Sequence, residues 1–208
     1  TEIYTLSLHD ALPILLAPHA SPAGADLPAE WRDPEGFWAA FAARARVFIV
    51  NTEHLPDPGT WPRSVLELGD EKWRGKAVMA RPLTGTTLTH FAALNLVLGE
   101  AEAEALCKKI LEGGVGLAQG NAHVMRQVSE GQFDWGLTDT DDFNVARLAG
   151  KPVAMVYPDQ DGLGTMLIPN TVCMIKGGPN PEGARKLVDF ILSREVEQIG
   201  RASCRERV

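Results

Sequence analysis

The chain has 208 residues, 45% of them hydrophobic and 23% charged, with a formal net charge of −7. That balance suits one large globular domain or two small lobes with buried cores, and the acidity argues against a nucleic-acid partner. No apolar run approaches the roughly 18 residues of a membrane-spanning helix, and Cys107, Cys173 and Cys204 form neither a CxxC nor a Cys/His metal spacing.

The two ends read differently from the rest. TEIYTLSLHDALPI (residues 1–14) and GRASCRERV (residues 200–208) resemble translated sequencing-adapter sequence and are set aside as one would a fusion scar. No signal-peptide pattern is visible in what remains.

Along the remaining chain, strand and helix patterns alternate. RVFIVN (Arg46–Asn51) and KAVMA (Lys76–Ala80) read as buried strands, and Thr86–Leu98 as a helix with Leu88, Phe91, Ala92 and Asn95 on one face. Ala101–Glu112 is a second helix, stopped by Gly113 and Gly114. A strand over Val115–Ala118, a helix over Asn121–Glu130, a strand over Phe133–Thr138 and a helix over Asp139–Ala149 follow, then a strand over Pro152–Tyr157. Two extended runs, TMLI and TVCMI, precede a helix over Pro181–Leu192 with Ala184, Leu187, Val188 and Ile191 on one face. This order predicts an α/β fold, in which ligands gather at strand ends and helix N-termini.

Two stretches sit at such places. Thr84, Gly85, Thr86 and Thr87 open a helix behind a strand. Unpaired N–H groups, the positive end of the helix dipole and several hydroxyls make an anion cradle there, with N-capping by Thr84 or Thr86 as the plainer alternative. The Gly-Lys-Ser/Thr ending of a P-loop is absent. In WGLTDTDD, Thr138 and Asp141 are spaced like a capping box, while the clustered carboxylates Asp139, Asp141 and Asp142 also suit a hard cation or an ammonium group. No lysine or general base accompanies them for phosphotransfer chemistry.

Asn121 is placed as an N-cap or as a ligand-contacting amide. His54, His90 and His123 are given no role, and the five tryptophans are expected in packing. Arg44 and Arg46 lead into a strand, with a surface or hinge ion pair as the default and a fork facing an anion as the alternative.

Four stretches together resemble the extracellular solute-binding proteins of ABC importers, in the ferric-iron-binding group. They are GFWAAFAARARVFIVNTEHLP, PRSVLELGDEKWRGKAVMARPLTGTT, GNAHVMRQVSEGQFDWGLTDTDD and GKPVAMVYPDQDGLGTMLIPNTVCMIKGGPNPEGARKLVDFILS. The resemblance implies a type II periplasmic-binding-protein fold of two α/β lobes joined by hinge strands. On that template residues 15–45 belong to an incomplete lobe 1, 46–163 to lobe 2, and 164–199 to the return into lobe 1.

It also implies a ligand set. Thr84, Gly85, Thr86 and Thr87 match the family's anion-holding loop, and Asn121 matches a second ligand position. Thr138, Asp139, Thr140 and Asp141 match the segment in which ferric binders place adjacent tyrosines. Thr140 and Asp141 stand in the tyrosine places, and the sequence's tyrosines are Tyr4 and Tyr157. Asp139 and Asp141 are the metal-ligand candidates. The function implied is capture of a small solute and its delivery to a membrane permease by a monomeric periplasmic or extracellular protein that is not an enzyme. The solute is iron(III) with a synergistic anion by the group's label, or an organic or phosphorylated molecule. An enzyme or a sensor domain on the same fold are the remaining alternatives, and no nucleophile or acid/base pair is evident for the former.

Overall fold

A computed structural model describes residues 8–196; the whole of the segment 200–208, and residues 1–7 of the other adapter-like end, lie outside the described residues. The chain divides into two compact units, one holding the residues up to Ala43 and from Pro169 onward, the other Arg44–Ile168.

The first unit begins with α1 (Leu8–Leu15) and β1 (Leu16–Ala17). A tight turn follows, in which Asp33 Oδ2 accepts the N–H groups of Glu35 and Phe37, both at 3.0 Å. From it leads β2 (Trp38–Asn51), which carries the chain into the second unit and starts eight residues before the apolar run RVFIVN. Its Ala-rich opening, WAAFAARA, favours helix by local propensity, and strand pairing overrides that preference.

In the second unit β3 (Ala77–Ala80) is followed by α2 (Gly85–Leu98), α3 (Glu100–Glu112), β4 (Gly116–Ala118), α4 (Asn121–Ser129), β5 (Trp135–Asp139), α5 (Thr140–Leu148) and β6 (Val153–Val156). β2 lies between β5 and β6, antiparallel to both, while β3 lies between β5 and β4, parallel to both. Side chains alternate across this sheet. Phe48, Val50, Met79, Trp135 and Leu137 pack on one face with Leu94 of α2 and with Leu106 and Ile110 of α3. Val47, Ile49, Val78 and Ala80 pack on the other with Val124 and Val128 of α4 and with Phe143 and Ala146 of α5. Trp135 anchors the first face, edge-on to Phe48 at 4.7 Å and to Trp73 at 5.5 Å between ring centroids.

The chain returns through β7 (Leu167–Ile175), one strand where the sequence suggests two extended runs, because the φ of Pro169 is compatible with extended backbone. In the first unit β7 pairs antiparallel with β1, Leu16 opposite Ile175. α6 (Pro181–Ile191) follows, with the Asn180 side chain accepting the Gly183 N–H at 2.9 Å. Its expected apolar face is only partly realised, since Val188 is buried and Leu187 is 57% exposed. No helix among the described residues is long and apolar enough to cross a membrane.

Candidate functional site

The alternation that builds the core also places two charged residues. Arg46 shares the face of Phe48 and Val50 on β2, and Asp139 shares the face of Trp135 and Leu137 on β5. The antiparallel register sets Arg46 directly opposite Asp139. Both point to the side covered by α2, at the end of the sheet where α2 and α5 begin.

There the Arg46 Nη1 donates to Asp139 Oδ1 at 2.5 Å and to Thr86 Oγ1 at 3.1 Å, and Nη2 donates to Thr87 Oγ1 at 3.1 Å. The second Asp139 oxygen accepts from Thr86 Oγ1 at 2.7 Å and from Asn121 Nδ2 at 2.8 Å. Asn121 Nδ2 also donates to Thr86 Oγ1 at 2.7 Å, and its carbonyl accepts from Thr87 Oγ1 at 3.3 Å. Five side chains from the starts of α2 and α4 and from β2 and β5 thus form one closed network. Burial pulls the Arg46 guanidinium below its ordinary pKa, and Asp139 opposes that shift.

Of the expected ligand residues, Thr86, Thr87, Asn121 and Asp139 meet in this network. Thr84 and Gly85 stand exposed in front of it. Thr84 occupies the N-cap position of α2 without a capping hydrogen bond from its side chain, so the plainer capping reading fails for it. Gly85 has φ +64 and open space where a Cβ would lie, so a ligand can approach its backbone closely. Asn121 is the first residue of α4, not its cap, which is Gly120.

The capping box expected of Thr138 and Asp141 is also absent. Thr138 is the penultimate residue of β5, and its hydroxyl donates to the Asn121 carbonyl at 3.2 Å and faces Asp142 Oδ2 at 3.4 Å; the N-cap of α5 is Asp139, whose side chain makes no capping bond. Thr140 Oγ1 accepts the Ala45 N–H at 3.2 Å, and the exposed Asp141 pairs with Arg44 at 3.3 Å. One carboxylate oxygen from each of Asp139, Asp141 and Asp142 lies within 4.8 Å of the others. Burial and the neighbouring charges of Asp141 and Asp139 push the Asp142 carboxyl up to about 6.

For three residues here the structure adds to what the sequence suggested. Arg46, expected in a surface or hinge pair, is fully buried; its parity with Phe48 and Val50 inside an apolar strand was the available signal. Asp142, read as one of three clustered carboxylates, is not in the ligand set that the resemblance implies. His90, given no role, is buried on α2 with Thr87 and Leu94, whereas Leu88 of the expected apolar face is 46% exposed. The face of α2 that turns inward does so to meet Arg46, so its first turns bury polar groups.

A model of the bacterial extracellular solute-binding protein family matches residues 14–205. Iron uptake protein A1 of Synechocystis sp. is 28% identical over 183 residues, 83% of this chain and 50% of that protein. The structure of iron-bound HitA from Pseudomonas aeruginosa superposes with a TM-score of 0.80 at 25% identity, covering 89% of this chain and 60% of HitA. AfuA from Actinobacillus pleuropneumoniae, with fructose-6-phosphate bound, superposes with a TM-score of 0.74 at 27% identity, covering 87% of this chain and 58% of AfuA. The chain thus spans about half the length of the curated relative and about 60% of the solved ones. With its mixed α/β architecture and a family match over nearly all of its length, the chain belongs to the bacterial extracellular solute-binding proteins, of the type II periplasmic-binding-protein fold.

Proposed function

We propose that the full-length protein is the solute-capturing component of an ABC importer, working outside the cytoplasmic membrane with a permease and without catalysis of its own. Residues Arg44–Ile168 supply the groups that hold the anionic part of the cargo. The observation that carries this reading is the convergence of three helix starts, α2, α4 and α5, on one side-chain network, with no N-cap side chain closing any of them. Such helix starts present N–H groups and partial positive charge to an anion.

Ferric iron with a synergistic anion is the cargo favoured by the relatives named for iron. In that reading Thr84, Gly85 and Thr86 receive the anion, and Asp141 and Asp142 offer carboxylate oxygens to the metal, while Asp139 acts through Thr86 and Asn121. A second reading is an organic solute bearing a phosphate or carboxylate and no iron. It is favoured by Asp139, whose two oxygens already accept three hydrogen bonds, and by Thr140 and Asp141 standing where the resemblance places tyrosines.

Native mass spectrometry of the full-length protein, purified without added ligand, separates the two. An added mass of iron, alone or with a small anion, supports the first reading, and an organic anion supports the second. A protein that stays bare, and still binds neither ferric citrate nor phosphate when these are supplied, sinks both.

A further inference from the structure

One helical turn along α2 from Thr86 and Thr87, the helix and the segment that follows β6 border a cavity of about 170 Å³, whose lining lies wholly within Arg44–Ile168. Its walls are mostly apolar, formed by Val65, Leu94, Val97, Leu163 and Met166. Val97 and Leu163 are also exposed, which gives the cavity a way in from solvent. An apolar cavity of about 150 Å³ is large enough to hold a benzene-sized molecule.

The wall opposite α2 is built rather than loose. Asp159 holds a left-handed backbone, φ +60, with its N–H donating to the Arg63 carbonyl at 2.7 Å and its carboxylate accepting the Val65 N–H at 3.1 Å. The Gly164 N–H donates to the Asp159 carbonyl at 2.8 Å, and the Met166 carbonyl accepts the Arg46 N–H at 2.9 Å.

Three polar side chains belong to this lining, those of Asp159, Thr165 and His90. The first two are engaged, Asp159 by Val65, and Thr165 by donating to the Pro158 carbonyl and accepting from Gln160 Nε2, both at 2.6 Å. His90 is the one with a buried atom, Nδ1, that has no partner. Burial, and then the Arg46 charge, lower its pKa to about 4, so near neutral pH the ring is uncharged and offers one donor and one acceptor. With a neutral imidazole and a carboxylate in the lining, an anion would lose its hydration there without gaining an opposite charge.

We propose that this cavity is a second binding site, for a small neutral molecule of phenol size, its ring against Leu94, Val97 and Met166 and its hydroxyl hydrogen-bonded to the His90 imidazole. An apolar body with one placed polar group is the usual pattern of small-molecule recognition. The site stands apart from the cargo reading above and does not depend on it.

The test is an NMR titration of the full-length protein with phenol, toluene and benzoate. Phenol should shift the His90 ring signals and the methyl groups of Leu94, Val97 and Met166. Toluene should shift the same methyl groups with an affinity about tenfold weaker, the loss of one hydrogen bond, and benzoate should shift neither set. Ala93→Phe, which fills the cavity with its own side chain, should abolish binding of phenol and toluene, and His90→Leu should bind toluene while losing the preference for phenol. Wild-type protein that fails to bind phenol, that binds benzoate as well as phenol, or whose phenol-induced shifts lie elsewhere overturns the proposal, as does unchanged phenol affinity in a folded Ala93→Phe. Should either variant fail to fold, the comparison of the three probes on the wild type decides.

Discussion

Arg46 and Asp139 face each other across adjacent antiparallel strands, 2.5 Å apart, with their side chains 0% and 2% exposed. A buried ion pair adds little to stability relative to a well-packed apolar pair, yet removing one member strands the other charge. The pair is best understood as a registry device. It ties the end of β5 to β2 and supplies the charge around which Thr86, Thr87 and Asn121 organise.

Breaking the pair from either side should therefore be severe. Arg46→Met or Asp139→Leu should each cost about 3–5 kcal/mol in urea denaturation of the full-length protein, whereas the double variant should lose much less than the sum. Additive losses would mean that the two charges do not depend on each other.

Within the network, the hydroxyls should differ by position. Thr86→Val removes a group that donates to Asp139 and accepts from Arg46 and Asn121, so about 1–3 kcal/mol of stability should go together with affinity for ferric citrate. The exposed Thr84 touches none of these groups in the hydrogen bonds described, and Thr84→Ala should leave stability within about 0.5 kcal/mol while weakening the probe. Equal stability losses at both positions would contradict the division between a buried network and an open cradle.

Two groups near the site give opposite pH dependences. The Asp142 carboxyl, ordinarily at 3.8, is held up to about 6, so between these values the folded protein keeps a proton that the unfolded chain has lost. Its contribution to stability is greatest at low pH and declines as pH rises through about 6. His90, ordinarily at 6.5, is lowered to about 4, so the unfolded chain binds a proton first and stability declines as pH falls through that window. Melting curves from mildly acidic to neutral pH should show Asp142→Asn gaining most at neutral pH, and His90→Asn losing less than the wild type on acidification. Profiles parallel to the wild type would show that neither group is perturbed as described.

Gly136 tests how closely α4 packs on the sheet. A Cβ there would lie 2.6 Å from Val124 Cγ1 and 2.7 Å from the Val78 carbonyl oxygen, the second a backbone atom held in the sheet. Gly136→Ala should cost about 1–3 kcal/mol by overpacking. The exposed Gly162, with nothing within 4 Å of its Cβ position, should tolerate alanine with a change of less than about 1 kcal/mol. Thermal denaturation of the two variants side by side decides the matter.

Most helices and strands of Arg44–Ile168 were legible because period and punctuation agree there. The apolar runs of β3 and β5, and Gly113, Gly114, Gly150 and Pro152 as stops, mark element ends to within a residue or two. β2 was only half legible, since WAAFAARA has no strand signal of its own. The inner face of α2 was misread because it buries Thr87 and His90 against a charge, which no apolar periodicity announces.

The sequence by itself determined the α/β alternation and the resemblance to extracellular solute-binding proteins, because both are written in local spacing and motif order. It also singled out Thr84–Thr87, Asn121 and Thr138–Asp141 as the residues of interest. Only the tertiary structure decided that Asp139 is bound by Arg46, Thr86 and Asn121 while Asp141 stays exposed, for adjacent residues of an acidic string part ways at a strand end. The last residue of β5 keeps the sheet's alternation and turns inward to Arg46, while the next two begin a helix whose turn carries Asp141 outward. That difference follows from strand register across 93 residues of sequence separation, and no local pattern encodes it.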